Sequence, residues 1–61
     1  MRLKELRKAK GVTQEAVAFA ISCSKGNYCR YERGKREPDI ATLKLLSNYF
    51  QKSIDYIVCN D

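Results

Sequence analysis

The stretch TQEAVAFAISCSKGNYCRYERG, Thr13 to Gly34, contains the start and stop signals of two consecutive short helices. Thr13 and Ser24 have side-chain oxygens that accept hydrogen bonds from the free N–H groups at a helix N-terminus. Gly34 can end the second of these helices in a left-handed conformation. A turn of three to four residues between short helices is typical of a helix-turn-helix pair. The stretch therefore predicts such a pair at about residues 13–33, the second and third helices of the chain.

Three more helices are predicted outside this stretch, at about residues 2–10, 40–50 and 53–58, because apolar residues recur there at helical spacing. Residues that cap or stop helices mark their boundaries: Gly11, Pro38, Asp39 and Ser53. No segment alternates apolar and polar residues between turn signals, as a strand would. The sequence predicts an all-α fold, a compact five-helix bundle that forms a single domain over residues 1–61.

The charge of the chain is unevenly distributed. The net charge is +5, and residues 1–37 alone carry ten Lys and Arg against four Glu, which leaves +6 in that segment. A sequence pI near 9.3 with the excess in one segment is typical of proteins that bind a polyanion. Charge alone leaves open that the basic residues serve only solubility.

The composition argues against several other classes. Three cysteines cannot all pair within the chain, and without His or a C-x-x-C motif a metal site lacks its usual ligands. We expect free thiols in the reducing cytoplasm, with no cofactor, no small-molecule site and no metal. No apolar run approaches the roughly 20 residues of a membrane span, and none follows the basic N-terminus as in a signal peptide. Without His to activate Cys or Ser, an enzyme is not expected.

The predicted third helix has two chemically different faces. At about 100° per residue, Tyr28 and Tyr31 share one face, which we expect to pack on the bundle. Gly26, Arg30 and Arg33 lie nearly opposite, with Cys29 beside them and Lys25 and Asn27 at the flanks. Arginine can bond guanine O6 and N7 as a pair, and asparagine can do the same with adenine N6 and N7. A charged face that is merely solvated remains the alternative.

The pattern T-Q-E-x-V-A-x-x-I-S-C-S-x-x-x-Y-x-x-Y-E-R-G-K-R-x-P, Thr13 to Pro38, resembles the Cro/cI-type (XRE) helix-turn-helix family. This family supplies the DNA-binding domain of phage repressors and of many bacterial regulators. The likeness continues through PDIATLKLL into SIDYIV and so covers nearly the whole chain. It implies the five-helix fold of lambda-repressor-like domains, which agrees with the helices predicted from the residues.

The resemblance also implies a role for individual residues. Gln14 matches a residue that bonds DNA phosphate and braces the recognition helix, which spans about residues 24–33 and enters the major groove. Arg7 and Glu32 match a structural salt bridge. The positions that meet bases or phosphates in the family correspond to Gln14, Ser24, Lys25, Gly26, Asn27, Cys29, Arg30, Arg33, Lys35 and Arg36.

Three residues depart from the family pattern. Gly26 leaves no side chain where the family usually reads a base, so either the backbone approaches the groove or readout shifts to its neighbours. Ser22 stands where the family commonly has Gly, and a positive φ there would strain it. Phe19 replaces a residue that is usually polar and exposed. It is interpreted either as a peripheral core contact or as part of a surface for a protein partner.

The C-terminal third is richer in apolar residues than so small a core can bury. Members of the family commonly pair through this end, which implies a homodimer contact formed by Tyr49, Ile54, Tyr56, Ile57 and Val58. The alternative is that these residues only cover the core. The sequence thus predicts a sequence-specific DNA-binding transcriptional regulator, a repressor that binds a palindromic operator as a dimer. An antitoxin- or antirepressor-like protein-interaction regulator is the other hypothesis.

Overall fold

Five helices follow one another in the computed structural model, which describes residues 1–59 of the 61-residue chain. They are α1 (Leu3–Lys10), α2 (Gln14–Ala20), α3 (Lys25–Arg33), α4 (Ile40–Phe50) and α5 (Ile54–Ile57). No strand occurs within residues 1–59. The predicted all-α, five-helix bundle is confirmed, and the last two residues of the predicted domain lie outside the described part.

Side-chain caps set the starts of four helices. The side-chain oxygens of Thr13, Ser24 and Ser53 each accept a hydrogen bond of 3.1 Å from the backbone N–H three residues later, and Asp39 accepts one of 2.8 Å. Such caps contribute about 1 kcal/mol each, because they satisfy an N–H group that the helix itself leaves free. The starts of these helices therefore follow from local side-chain chemistry.

The helix ends are equally local in origin. Gly11 and Gly34 end α1 and α3 with φ of 75° and 74°, the left-handed conformation that glycine adopts without strain. Ser22 adopts φ 57° in the turn between α2 and α3, so the strain foreseen at this position is present. The end of α4 has a similar feature that the sequence did not predict, since Gln51 also has φ 57°.

One hydrophobic core joins all five helices. Its buried members are Leu3, Val17, Ala18, Ile21, Tyr28, Tyr31, Leu46, Phe50 and Ile57. Because Tyr28 and Tyr31 are both buried, the rotation of α3 about its own axis is fixed, and its opposite face is left to solvent. Burial of side chains of this size contributes about 1.5–3 kcal/mol each, so turning α3 over would be costly.

The core also corrects two predictions. Ile57, predicted at a dimer contact, is fully buried in the protomer's own core, because the single turn of α5 can bury only one side of itself. Phe19 is 87% exposed, so the interpretation as a peripheral core contact is wrong. It projects from α2 beside Ala16 and Ala20, which are exposed as well.

Candidate nucleic-acid interface

Exposed basic residues gather where α3 faces away from the core. Lys25, Arg30 and Arg33 are exposed along α3, and Lys35 and Arg36 follow in the loop after Gly34. The buried pair Tyr28 and Tyr31 explains why these cations face outward, since they occupy the other side of the helix. The predicted division of α3 into an aromatic inner face and a cationic outer face is therefore present.

A buried carboxylate ties α3 to the two preceding helices. Glu32 accepts hydrogen bonds from Arg7 Nε at 2.7 Å and Arg7 Nη2 at 3.4 Å, and from Gln14 Nε2 at 3.1 Å. The Glu32 side chain is 3% exposed and that of Arg7 is 15% exposed. The ion pair expected between these two residues is thus present, and it links α1, α2 and α3 at one point.

The electrostatics of this site keep both partners charged. Burial by itself would raise the pKa of Glu32, but the hydrogen bonds from Arg7 and Gln14 and the nearby Tyr28 hydroxyl outweigh it and lower that pKa. The hydrogen bond to Glu32 raises the pKa of Arg7. Burial and the adjacent carboxylate raise the pKa of Tyr28, whose hydroxyl lies near Glu32 without regular hydrogen-bond geometry. The pair therefore stays ionised near neutral pH.

Gln14 braces α3 through both ends of its side-chain amide. Its Nε2 donates to Glu32, and its Oε1 accepts from Cys29 Sγ at 3.1 Å. The Cys29 thiol is consequently directed toward α2 and is half-buried, not turned outward beside the arginines as the sequence predicted. The physical reason is that α2 crosses this flank of α3, which a helical wheel of α3 alone does not include.

The first turn of α3 is exposed at Ser24, Lys25 and Gly26 and half-buried at Asn27. Ser24 caps the helix, and Lys25 Nζ lies 3.6 Å from Glu15 Oε1 on α2. Asn27 Oδ1 accepts a hydrogen bond of 3.0 Å from Arg30 Nη1. Gly26 lies between Lys25 and Asn27, and a Cβ placed on it would meet no atom within 4 Å. An open strip of backbone is thus flanked by three donor side chains.

An open groove of about 930 Å³ lies between α1, the start of α2 and α3. Its basic lining residues are Lys4, Arg7, Lys25 and Arg33, and Glu15 and Glu32 also line it. Lys4 lines this groove although it was not predicted from the sequence as a site residue. Its position three residues before Arg7, on the same side of α1, is the signal that could have found it.

The basic residues at the end of α3 and in the loop after it do not all face this groove. Arg33 lines it, whereas Arg36 lines a separate depression of about 420 Å³ together with Tyr31, Pro38 and Leu43. Lys35 is exposed, and its backbone N–H bonds Arg30 O at 2.9 Å, which holds the loop against the end of α3. Arg33 and Arg36, both predicted to contact phosphate, therefore line different depressions of the surface.

The remaining residues predicted at a dimer contact lie on the outside of α4 and α5. Tyr49 is half-buried with its ring edge-on to Phe50 at 5.0 Å, and Ile54 and Val58 are also half-buried. Tyr56 is 36% exposed, and the Arg2 guanidinium and Lys52 Nζ lie over its ring at 4.4 and 5.3 Å. These four residues stay accessible in the protomer, in contrast to Ile57.

Within residues 1–59, no cluster of three or more His, Cys, Asp or Glu side chains is arranged to hold a metal ion. Of the helices described, none combines the length and the apolar character needed to cross a membrane.

Comparison with known proteins gives a match over almost the same region as the five helices. A family model described as helix-turn-helix matches residues 3–57. The transcriptional regulator ImmR of Bacillus subtilis is 42% identical over 60 residues, which are 98% of this chain and 47% of ImmR. No solved structure gave a significant match.

Two further relatives differ in the direction of regulation that their names state. The cryptic phage CTXphi transcriptional repressor RstR of Vibrio cholerae is 30% identical over 57 residues, 93% of this chain and 51% of RstR. The transcriptional activator BcrR of Enterococcus faecalis is 32% identical over 60 residues, 98% of this chain and 29% of BcrR. The chain spans about half the length of ImmR and RstR, and less of BcrR.

Proposed function

Because the chain belongs to the Cro/cI-type (XRE) helix-turn-helix family, we propose that it binds double-stranded DNA in a sequence-specific manner and regulates transcription. The observation that carries this proposal is the braced position of α3, whose aromatic face is buried while Lys25 and Arg30 are exposed and Asn27 is half-buried beside Arg30. In this arrangement α3 enters the major groove, which is wide enough to admit a helix.

Phosphate contacts supply affinity on either side of the recognition helix. The basic groove of Lys4, Lys25 and Arg33 receives one stretch of backbone, and Lys35 and Arg36 receive another. Gln14 Nε2 has a second N–H beyond the one that bonds Glu32, and this N–H is the donor for the phosphate contact expected from the family. Such contacts position the protein on the duplex, while base contacts by α3 select the sequence.

We further propose that the protein is a repressor that acts in the cytoplasm and binds a palindromic operator as a homodimer. The name of RstR supports repression, whereas the name of BcrR supports activation. Exposed apolar side chains on α4 and α5, among them Ile40, Leu45 and Tyr56, support a contact between two copies. A two-fold dimer would place two recognition helices about 34 Å apart, one turn of DNA.

Selection of bound duplexes from a random pool, followed by titration of a fluorescent duplex of the selected sequence, tests the proposal. Arg30→Ala should reduce affinity for the selected duplex far more than for scrambled DNA, because a base contact is lost. Lys35→Ala should weaken both duplexes alike and reduce the dependence on salt by about 0.9 log unit per log unit of salt. The matched control is Lys44→Ala, which removes an exposed lysine from α4.

Two results would contradict the proposal. One is that the wild-type protein enriches no sequence from the pool. The other is that Arg30→Ala and Lys35→Ala reduce binding to selected and scrambled DNA in the same proportion. Sedimentation of the protein with and without the selected duplex would test the dimer separately, since a single protomer on a non-repeated site would refute it.

The exposed Phe19 favours a second candidate, a regulator of the antitoxin- or antirepressor-like kind that acts through a protein partner. Phe19 projects from α2 with the exposed side chains of Ala16 and Ala20 beside it, and contiguous exposed apolar residues of this kind can form a contact for a protein partner. This candidate predicts that Phe19→Ser abolishes regulation in the cell while affinity for the selected duplex stays unchanged. Loss of DNA affinity in that variant would argue against it.

A further inference from the structure

The side chains of Asn27 and Arg30 are joined before any ligand is present. Arg30 Nη1 donates to Asn27 Oδ1 at 3.0 Å, across one turn of α3. Arg30 is exposed and Asn27 is half-buried, so the pair lies at the outer edge of the helix and not within the core. Since Tyr28 and Tyr31 fix the rotation of α3, the pair has a defined direction relative to the bundle.

This contact changes what Asn27 can recognise. A paired contact to adenine requires the Asn oxygen to accept from the adenine N6 amino group while the Asn nitrogen donates to N7. In this structure a guanidinium already occupies the oxygen side of Asn27. Its positive charge and N–H groups would face the adenine amino group, which is also a donor. The arrangement therefore disfavours adenine at the position that an isolated asparagine would read.

What the pair presents outward is dominated by donors, because Arg30 already takes one of the two lone pairs of Asn27 Oδ1. Arginine has five N–H donors, of which Asn27 engages one, and the Asn27 amide nitrogen adds two more. In the major groove, guanine offers two acceptors, O6 and N7, while cytosine offers only an amino donor. No side chain intervenes at Gly26, so a base pair can come close to the amide of Asn27.

We propose that Asn27 and Arg30 act as one unit that reads a guanine and an adjacent acceptor. Arg30 bonds O6 and N7 of the guanine, and Asn27 holds the guanidinium in place and donates from its amide nitrogen to the neighbouring base pair. Asn27 is thus a positioning residue for Arg30 as well as a contact of its own. This inference rests on the proposed function, which it extends to the bases that the operator contains.

The test compares the sequences selected from a random duplex pool by the wild type and by four variants. These are Asn27→Ala, Arg30→Ala, the double variant, and Asn48→Ala as a matched control on α4. We expect a guanine in the wild-type sequence, preferred about 5- to 150-fold over other bases, the range for a good paired contact. Both single variants should lose much of this preference. The double variant should lose no more than Arg30→Ala, because the two residues act together.

A fifth variant separates positioning from direct contact. In Asn27→Asp the carboxylate can still hold Arg30 but presents acceptors in place of the amide donors. The guanine should therefore be retained, while the neighbouring position should shift toward bases that offer an amino donor, cytosine above all. A merely structural role of Asn27 would produce no such shift.

Two outcomes would overturn the inference. If the wild type selects an adenine that Asn27→Ala loses while the guanine stays, Asn27 reads adenine independently of Arg30. If Asn27→Ala leaves the entire selected sequence unchanged, Asn27 neither positions Arg30 nor contacts a base. Failure of the proposed function would look different, since the wild type and the Asn48→Ala control would then enrich no sequence at all.

Discussion

Replacing Arg7 by Met tests whether the buried Glu32 carboxylate depends on its ion pair. Met keeps much of the aliphatic volume but removes the two guanidinium hydrogen bonds to Glu32 and a third, of 3.3 Å, to Val12 O, so that Glu32 retains only the bond from Gln14. Stranding a buried charge costs about 3–5 kcal/mol, and we expect the lower end, about 3 kcal/mol, because the Gln14 contact remains. The cost falls on Glu32, which is 3% exposed.

A loss of this size would be large for so small a domain. At about 0.05–0.15 kcal/mol per residue, a chain of 61 residues has a total stability of about 3–9 kcal/mol. The midpoint of thermal unfolding should fall by about 12–24 °C, at roughly 4–8 °C per kcal/mol. Lys4→Met, on the same side of α1, is the control and should change stability by less than about 0.5 kcal/mol.

The pH dependence gives the sharper measurement. In the wild type the pKa of Glu32 is lowered from its ordinary value of 4.5, so its contribution to stability is present above that pH and lost as pH falls through the lowered value. In Arg7→Met, burial dominates and raises the pKa of Glu32 above its ordinary value of 4.5. The ionised carboxylate then lowers the free energy of unfolding above pH 4.5, and its protonation at lower pH restores that free energy. The difference in free energy of unfolding between the wild type and Arg7→Met should therefore be largest at pH 7 and should become smaller below about pH 4.5.

Urea unfolding followed by circular dichroism at pH 7 and pH 4 measures both free energies. The reasoning would be refuted if Arg7→Met cost less than about 1 kcal/mol at pH 7, since the pair would then behave as a solvent-exposed one. It would also be refuted if the gap did not change with pH. In that case the loss would come from the apolar packing of Arg7 and not from the charge of Glu32.

Three further predictions concern the helix-turn-helix itself. Ser22→Gly should raise the free energy of unfolding by up to about 1 kcal/mol, because glycine adopts φ 57° without strain. An unchanged or lower free energy of unfolding in urea would contradict this prediction. Ser24→Ala should lower it by about 1 kcal/mol, because the N–H of Asn27 loses its cap, and a Ser24→Thr control should retain most of the stability. Gly26→Ala should stabilise α3 by up to about 1 kcal/mol, because a Cβ at this position meets no atom. The same variant should bind the selected duplex more weakly, because the added methyl group keeps the backbone away from a base pair. Unchanged affinity would place Gly26 outside the contact with DNA.

The sequence predicted well whatever depends on neighbours along the chain. Caps such as Thr13 and Ser24 act within three residues, and the left-handed glycines act within one turn, so local chemistry determines them. The inner face of α3 was also predictable, because two large aromatic residues three positions apart leave one way to pack the helix. The Arg7–Glu32 pair, in contrast, was predicted from the family resemblance, because its two residues are far apart along the chain.

The errors lie where two helices meet. A wheel of α3 places Cys29 outside, but α2 crosses that flank, and the thiol bonds Gln14. The single turn of α5 is too short for apolar spacing to decide between Tyr56 and Ile57, and the core takes Ile57. The place of Lys4 in the groove depends on how α1 lies against α3. Each of these depends on the angle between elements, which no single segment encodes.

The bracing of α3 by Glu32, Gln14 and Arg7 has a consequence for the entropy of recognition. A helix already held on two sides has little freedom left to lose when it meets a ligand, and the Asn27–Arg30 contact restricts in the same way the rotamers of the two side chains that we propose to read the bases. Each flexible side chain that must be ordered on binding costs about 0.5–1.5 kcal/mol. A surface that is ordered before binding avoids this cost, so its contacts contribute more to affinity. Because it also adjusts poorly to a wrong base pair, its rigidity is itself a means of discrimination.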